Sequence, residues 1–216
     1  MARNNIIFAA LLMFFGILGT QAQAPCQNAT GMANLNATRL TGLWYETVQA
    51  PAAKVGCVQL HVELANNNTQ LVVTKWTSSS ATSNYMNQFS KATVNVTDVN
   101  NNTGFNFNYT TTNSNPSNVT YKILNTDYQS YVSFCSYTSA TDPSTSVGGI
   151  LTATTNPNST WLAQLVNTTS QNLLNFNSST VANVTQTNCY ASSASTTLPF
   201  LSSLLAALYL LMKIFN

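Results

Sequence analysis

The sequence predicts an all-β protein: an eight-stranded up-and-down antiparallel barrel, with one C-terminal helix packed outside. Three observations carry this expectation. Apolar residues recur at every second position in segment after segment, the mark of strands with one buried and one wet face. Clusters of Asn, Ser and Gly separate these segments at short intervals. A single later stretch departs from that rhythm and places its apolar residues at helical spacing. A barrel closes such strands on themselves and leaves no edge open to aggregation. A two-sheet sandwich has the same periodicity.

The strands are expected in the following order. Leu43–Gln49 begins just after Gly42 and carries Trp44. In Cys57–Leu64, the apolar Val58, Leu60, Val62 and Leu64 alternate with Cys57, Gln59, His61 and Glu63. Gln70–Trp76 and Lys91–Val96 follow. Gly104–Thr110 sets Phe105, Phe107 and Tyr109 against Asn106 and Asn108. Val119–Leu124 sets Val119, Tyr121 and Ile123 against Thr120 and Lys122, and Gln129–Tyr137 sets Val132 and Phe134 against Ser133 and Cys135. Val147–Thr154 is the eighth, and its Gly148-Gly149 pair relieves crowding in the strand rather than forming a phosphate loop. Asn108 opens a glycosylation sequon and must face water to carry a sugar, so Phe105, Phe107 and Tyr109 point inward. By the same parity Cys57 and Cys135 point outward, where they can tie terminal segments to the wall. Beyond the eighth strand, Trp161, Leu162, Leu165 and Val166 lie at helical spacing, with Leu173 another two turns on. Thr168 and Thr169 weaken that helix.

Both ends read as processing signals. Residues 1–24 carry Arg3, an apolar run over Ile6–Leu18 and the small residues Ala22 and Ala24, the pattern of a secretory signal peptide cut before Pro25. Residues 193–216 give a short polar spacer and an apolar tail that runs to Asn216. Preceded by small residues, this order signals a glycolipid (GPI) anchor at Ser192 or its neighbours Ala191 and Ser193. A tail-anchoring helix is the alternative, against which stand Pro199, Ser202 and Ser203 within the run and the lack of a basic cluster after it. Residues 25–192 remain as one barrel domain.

Trimming changes the charge. Arg39, Lys54, Lys75, Lys91 and Lys122 balance Glu46, Glu63, Asp98, Asp127 and Asp142, so the mature chain is formally neutral. Nucleic acid is excluded as a partner, because phosphate binding needs clustered Lys and Arg. Solubility falls instead to sugars, for which the chain holds eleven sequons, at Asn28, Asn36, Asn67, Asn95, Asn101, Asn108, Asn118, Asn158, Asn167, Asn177 and Asn183. Four cysteines, Cys26, Cys57, Cys135 and Cys189, suit two disulfides in an oxidising compartment, with three pairings open. Their wide spacing argues against zinc, and no metal or cofactor is expected.

Gly-x-Trp at Gly42–Trp44, followed in order by Thr-Asp-Tyr at Thr126, Asp127 and Tyr128, resembles the signature pair of the lipocalins. "GLWYE", "GCVQ", "ATVNVT" and "YKILNTDYQSY" are most similar to the apolipoprotein D and Lazarillo branch. The resemblance covers most of Cys26–Cys189 and implies the pairs Cys26–Cys135 and Cys57–Cys189. It also implies that Gly42, Trp44 and the Thr126–Tyr128 loop form the closed base of the barrel, with the indole across the floor. One departure stands out. The branch carries an arginine near the end of the eighth strand that packs over the tryptophan, whereas this chain reads "ILTATTNPN", which puts the rigidity of the base in question.

Catalytic chemistry has little to draw on. His61, the only histidine, sits on an outward face beside Glu63, and the five carboxylates fall on different elements. Some lipocalins are isomerases that use a free cysteine, but all four here are committed to bridges. An eight-stranded barrel is wide enough for one small ligand. Leu60, Val62, Phe105, Phe107, Tyr109, Tyr121, Ile123 and Phe134 are the expected lining, with tyrosine hydroxyls fixing the ligand's polar end. The resemblance implies a fatty acid, retinoid, sterol, pheromone or bilin-type pigment, and roles in lipid transport or oxidative-stress response. A different class of function is recognition of a cell-surface protein through the outer face, as in adhesion or guidance.

Overall fold

A computed structural model describes residues 23–110 and 119–191, with side chains described except at 108–110 and 191. Eight strands form an antiparallel meander: β1 Gly42–Ala50, β2 Gln59–Ala65, β3 Gln70–Ser78, β4 Tyr85–Asn95, β5 Phe105–Thr110, β6 Val119–Thr126, β7 Tyr131–Tyr137 and β8 Val147–Thr152. Each pairs with the next, and β8 returns to β1. The ring is completed by β4 and β5 through Lys91–Thr110, Ala92–Tyr109 and Thr93–Asn108. Two short strands are added outside: β9 Ala182–Asn183 pairs with β1, and β10 Tyr190–Ala191 lies parallel to β4.

Several boundaries differ from the sequence reading, each for a physical reason. β4 starts six residues earlier, at Tyr85, because Tyr85–Ser90 is largely wet on both faces and shows no apolar alternation. Val96 does not end β4 but opens a six-residue helix, α1 Val96–Asn101, under two turns and too short to display a helical period. Its Val96 and Val99 are buried against the base. β2 begins at Gln59, so Cys57 lies just before the strand, at a left-handed φ of 50°. The C-terminal helix α2, Ser159–Ser170, is capped by the Asn158 side chain, which accepts from the Trp161 N–H at 3.1 Å. Leu173 lies beyond α2 rather than within it, yet is 1% exposed.

Where β5 runs out, a side chain continues the ladder. The last β5–β6 pair is Phe105–Tyr121. Beyond it, Asn102 Oδ1 accepts from the Ile123 N–H at 2.9 Å, and Asn102 Nδ2 donates to the Ile123 carbonyl at 2.7 Å. Asn102 is 4% exposed, so these bonds satisfy polar groups that water does not reach.

The outer wall is covered by both terminal segments. Val48, Ala50, Cys135 and Ile150 pack beneath Val166, Leu173 and Phe176. Disulfides join Cys26 to Cys135 and Cys57 to Cys189, the pairs the resemblance implies. Lys122 points outward from β6 but is buried under the N-terminal segment, where its Nζ donates to the carbonyls of Gln27 (2.8 Å) and Ala29 (3.0 Å).

Gly148 makes this cover possible. A Cβ there would sit 2.5 Å from the side chains of both Leu173 and Phe176, each 1% exposed. Gly148→Ala is therefore expected to lower stability by about 1–3 kcal/mol, as overpacked cores do. Urea unfolding of parent and variant measures this; equal midpoints would show that the contact yields.

Candidate ligand cavity

The barrel encloses a cavity of about 300 Å³. Its floor is set by the sequence around Gly42. A Cβ at Gly42 would meet nothing, so what demands glycine is its φ of 132° and not space. That turn leads from the 3-10 turn Ala37–Leu40 into β1 and lays Trp44, 4% exposed, across the closed end. The indole N–H donates to the Leu40 carbonyl at 2.8 Å.

The Thr126–Tyr128 loop closes the same end. Thr126 Oγ1 accepts from the Tyr128 N–H (2.8 Å) and donates to the Tyr131 carbonyl (2.6 Å). Asp127 accepts from the N–H groups of Gln129, Ser130 and Tyr131 and from the Ser130 hydroxyl. Burial alone would raise its pKa; these hydrogen bonds outweigh that and hold the carboxyl at about 2. The base lacks an arginine from β8, but another cation braces it. The Arg39 guanidinium lies 4.2 Å from the centre of the Tyr128 ring, and the Tyr128 hydroxyl accepts from the Asn36 N–H at 3.0 Å.

Above the floor, β5, β6 and β7 present a ladder of rings. Phe105 and Phe107 are 5.4 Å apart between centroids, Phe107 and Tyr121 5.1 Å, and Tyr121 and Phe134 6.2 Å. Leu60 and Val62 face them from β2, with Leu71 and Val73 from β3 and Ile123 from β6. All of the expected lining residues thus face the cavity except Tyr109, whose backbone pairs with Ala92 while its side chain lies outside the described set. Asn118 and Ser192 also lie outside the described residues, as does the Asn108 side chain. Of the other sequon asparagines, Asn28, Asn36, Asn67, Asn95, Asn101, Asn158, Asn167 and Asn183 are exposed and Asn177 is half-buried.

Two charged residues in the lining were not expected from the sequence: Glu46 of β1 and Lys75 of β3. The signal was present as strand parity, because Glu46 stands two residues after the inward Trp44 and Lys75 two after the inward Val73. A bulge between Glu46 and Val48 then reverses the parity, turning Val48 to the outer cluster and Gln49 to the cavity. Glu46 is 6% exposed; burial raises its pKa, and Lys75 pulls it part of the way back. His61 does not reach the cavity; its ring is 3.8 Å from Glu63 on the exposed outer face.

No protein-family model matches the chain, and no curated protein sequence does. Solved structures do match. The tryptamine complex of the amine binding protein of Rhodnius prolixus aligns at a TM-score of 0.57 with 15% identity, covering 77% of this chain and 90% of that one. The cockroach allergen Per a 4 aligns at 0.52 with 21% identity, over 76% and 96%. Apocrustacyanin C1 aligns at 0.51 with 16% identity, over 70% and 79%. This is the lipocalin fold. In this lipocalin barrel, the sequence-distant Gly42–Trp44 and Thr126–Tyr128 segments meet at one closed end.

Asp127 tests that end. Its carboxylate is favoured in the folded state, so its contribution to stability is complete above the ordinary value of 3.8 and is lost as pH falls through about 2. Asp127→Asn should be less stable than the parent near neutrality, and the gap should close over that acid range. A gap independent of pH in denaturant titrations would assign the stability of the loop to its other contacts.

Proposed function

We propose that this protein is a secreted, cell-surface lipocalin that carries a small hydrophobic molecule in its barrel. The carrying observation is the ladder Phe105–Phe107–Tyr121–Phe134 facing Leu60, Val62, Leu71 and Val73 across an internal cavity. A fatty acid, retinoid, sterol, pheromone or bilin-type pigment has the matching apolar surface. That a protein with the same fold forms a tryptamine complex supports the reading that this fold carries a small molecule here too. Two disulfides, exposed sequons and the signal-like first 24 residues support the secretory route. The C-terminal apolar tail supports a GPI tether to the outer leaflet, with Ser192 as the acceptor. The motifs favour the apolipoprotein D and Lazarillo branch, with roles in lipid handling and oxidative stress. Binding rather than catalysis fits the site, whose lining offers neither histidine nor thiol among the described residues.

A second reading has its own observation. Phe89, 56% exposed, packs edge-on against Trp76 on the outer face of β3 and β4, and Tyr85 and Tyr190, 61% and 55% exposed, pair with each other where β10 meets β4. Exposed rings such as the Trp76–Phe89 patch suit recognition of a surface protein.

Trp44 serves as a reporter, since it lies in the cavity floor while Trp76 and Trp161 do not line it. Lipids and retinoids are expected to quench its fluorescence. Phe107→Ala should weaken the best ligand, at a stability cost below the roughly 3–5 kcal/mol of a fully buried ring. Asn106→Ala, on the exposed face, should bind like the parent. If no ligand quenches, the outer patch becomes the better site. For the tether, phosphatidylinositol-specific phospholipase C should release the protein from expressing cells; retention with Lys213–Asn216 still attached would mean a membrane-spanning tail.

A further inference from the structure

Glu46 is an anomaly within the cavity. Its side chain is 6% exposed, and among the described residues its carboxylate accepts no hydrogen bond and forms no ion pair. Lys75 acts on it through space only. Its oxygens still open onto the cavity, for among the described residues Gln27 Oε1 is the one fully buried side-chain polar atom without a partner. The fold keeps room for Glu46. A Cβ at Gly149 would approach Glu46 Oε1 to 3.0 Å and the Phe134 ring to 2.5 Å, so the carboxylate and the ring converge on one glycine. That places an acceptor with no protein partner beside an aromatic ring in the lining of an apolar cup.

We infer that Glu46 anchors the polar end of the ligand, and that this end is a protonated amine on an apolar body. This deepens the proposal that the cavity holds a ligand, and rests on it. The chemistry selects among head groups. A carboxylate only accepts, so it needs donors, and buried as an anion it needs positive charge. An ammonium supplies both and gains the neighbouring ring. An alcohol supplies one donor and no charge of its own. A carboxylate head adds a second negative charge. Lys75 opposes the amine and compensates Glu46 in the empty cup; among the described residues it is the one other charged residue of the lining, where Tyr121 and Tyr137 are the remaining titratable groups.

Decylamine, decanol and decanoate share one apolar body and differ only in the head group. By calorimetry on the folded, glycosylated ectodomain, decylamine should bind at least about tenfold more tightly than decanol, the scale of one charge-assisted hydrogen bond. Glu46→Gln, which keeps the shape of the side chain, should bring the amine-to-alcohol ratio close to unity. Lys75→Met should raise it. If the parent binds decanol as well as decylamine, or Glu46→Gln retains the preference, the anchor is wrong while the cavity stands. If decanoate binds best, the head group belongs to Lys75. If none of the three binds, the anchor and the cavity reading fail together.

Discussion

Because β4 pairs with β5 at Lys91–Thr110, Ala92–Tyr109 and Thr93–Asn108, the meander returns on itself and every strand acquires an inside and an outside. Both faces of such a wall are wider than its own side chains can bury. The inside keeps a cavity, and the outside needs a cover from elsewhere in the chain. That cover comes from the two terminal segments, which apart from α2 carry little regular structure and are tied down covalently. Cys26–Cys135 holds the first against β7, and Cys57–Cys189 holds the last near the open end. Each closes a loop of more than a hundred residues, the situation in which a cross-link restricts the unfolded chain most.

Adjacent glycines in β8 show how tightly the two faces are coupled. Gly148 lets Leu173 and Phe176 press on the outside, and Gly149 lets Phe134 and Glu46 approach from within. Successive residues of a strand point to opposite faces, so one dipeptide serves two packing problems. The base obeys a different rule. It must stop the barrel without a strand to do so, and it uses side chains as substitutes for backbone. Asn102 continues the β6 ladder, Asp127 gathers three N–H groups, and Arg39 braces Tyr128.

What was legible in the sequence follows from the same division. β2, β5, β6 and β7 have one dry and one wet face, and their alternation reads directly. Tyr85–Ser90 of β4 has no dry face to announce it. α1 is under two turns long and is specified by its burial against the base, which is a tertiary fact. Lys122 conforms to the outward parity of β6 and is nonetheless buried, because the N-terminal segment that covers it arrives from some ninety residues away. Glu46 is a different omission. Counted among five scattered carboxylates it meant little; placed on the same face as Trp44 it was already inside the barrel.

Glu46 and Lys122 are the buried ionisable residues of the described chain, each 6% exposed, and they differ in one respect. The ammonium of Lys122 has two carbonyls brought to it by the segment it helps to fasten. Its charge is solvated by the protein, as a structural charge must be. The carboxylate of Glu46 has been given space by Gly149 and a neighbouring ring, but no donor. Residues 25–192 carry five residues of each sign, few enough to be satisfied easily. The one left unsatisfied faces the cavity, where a molecule from outside the chain can supply what the fold withholds.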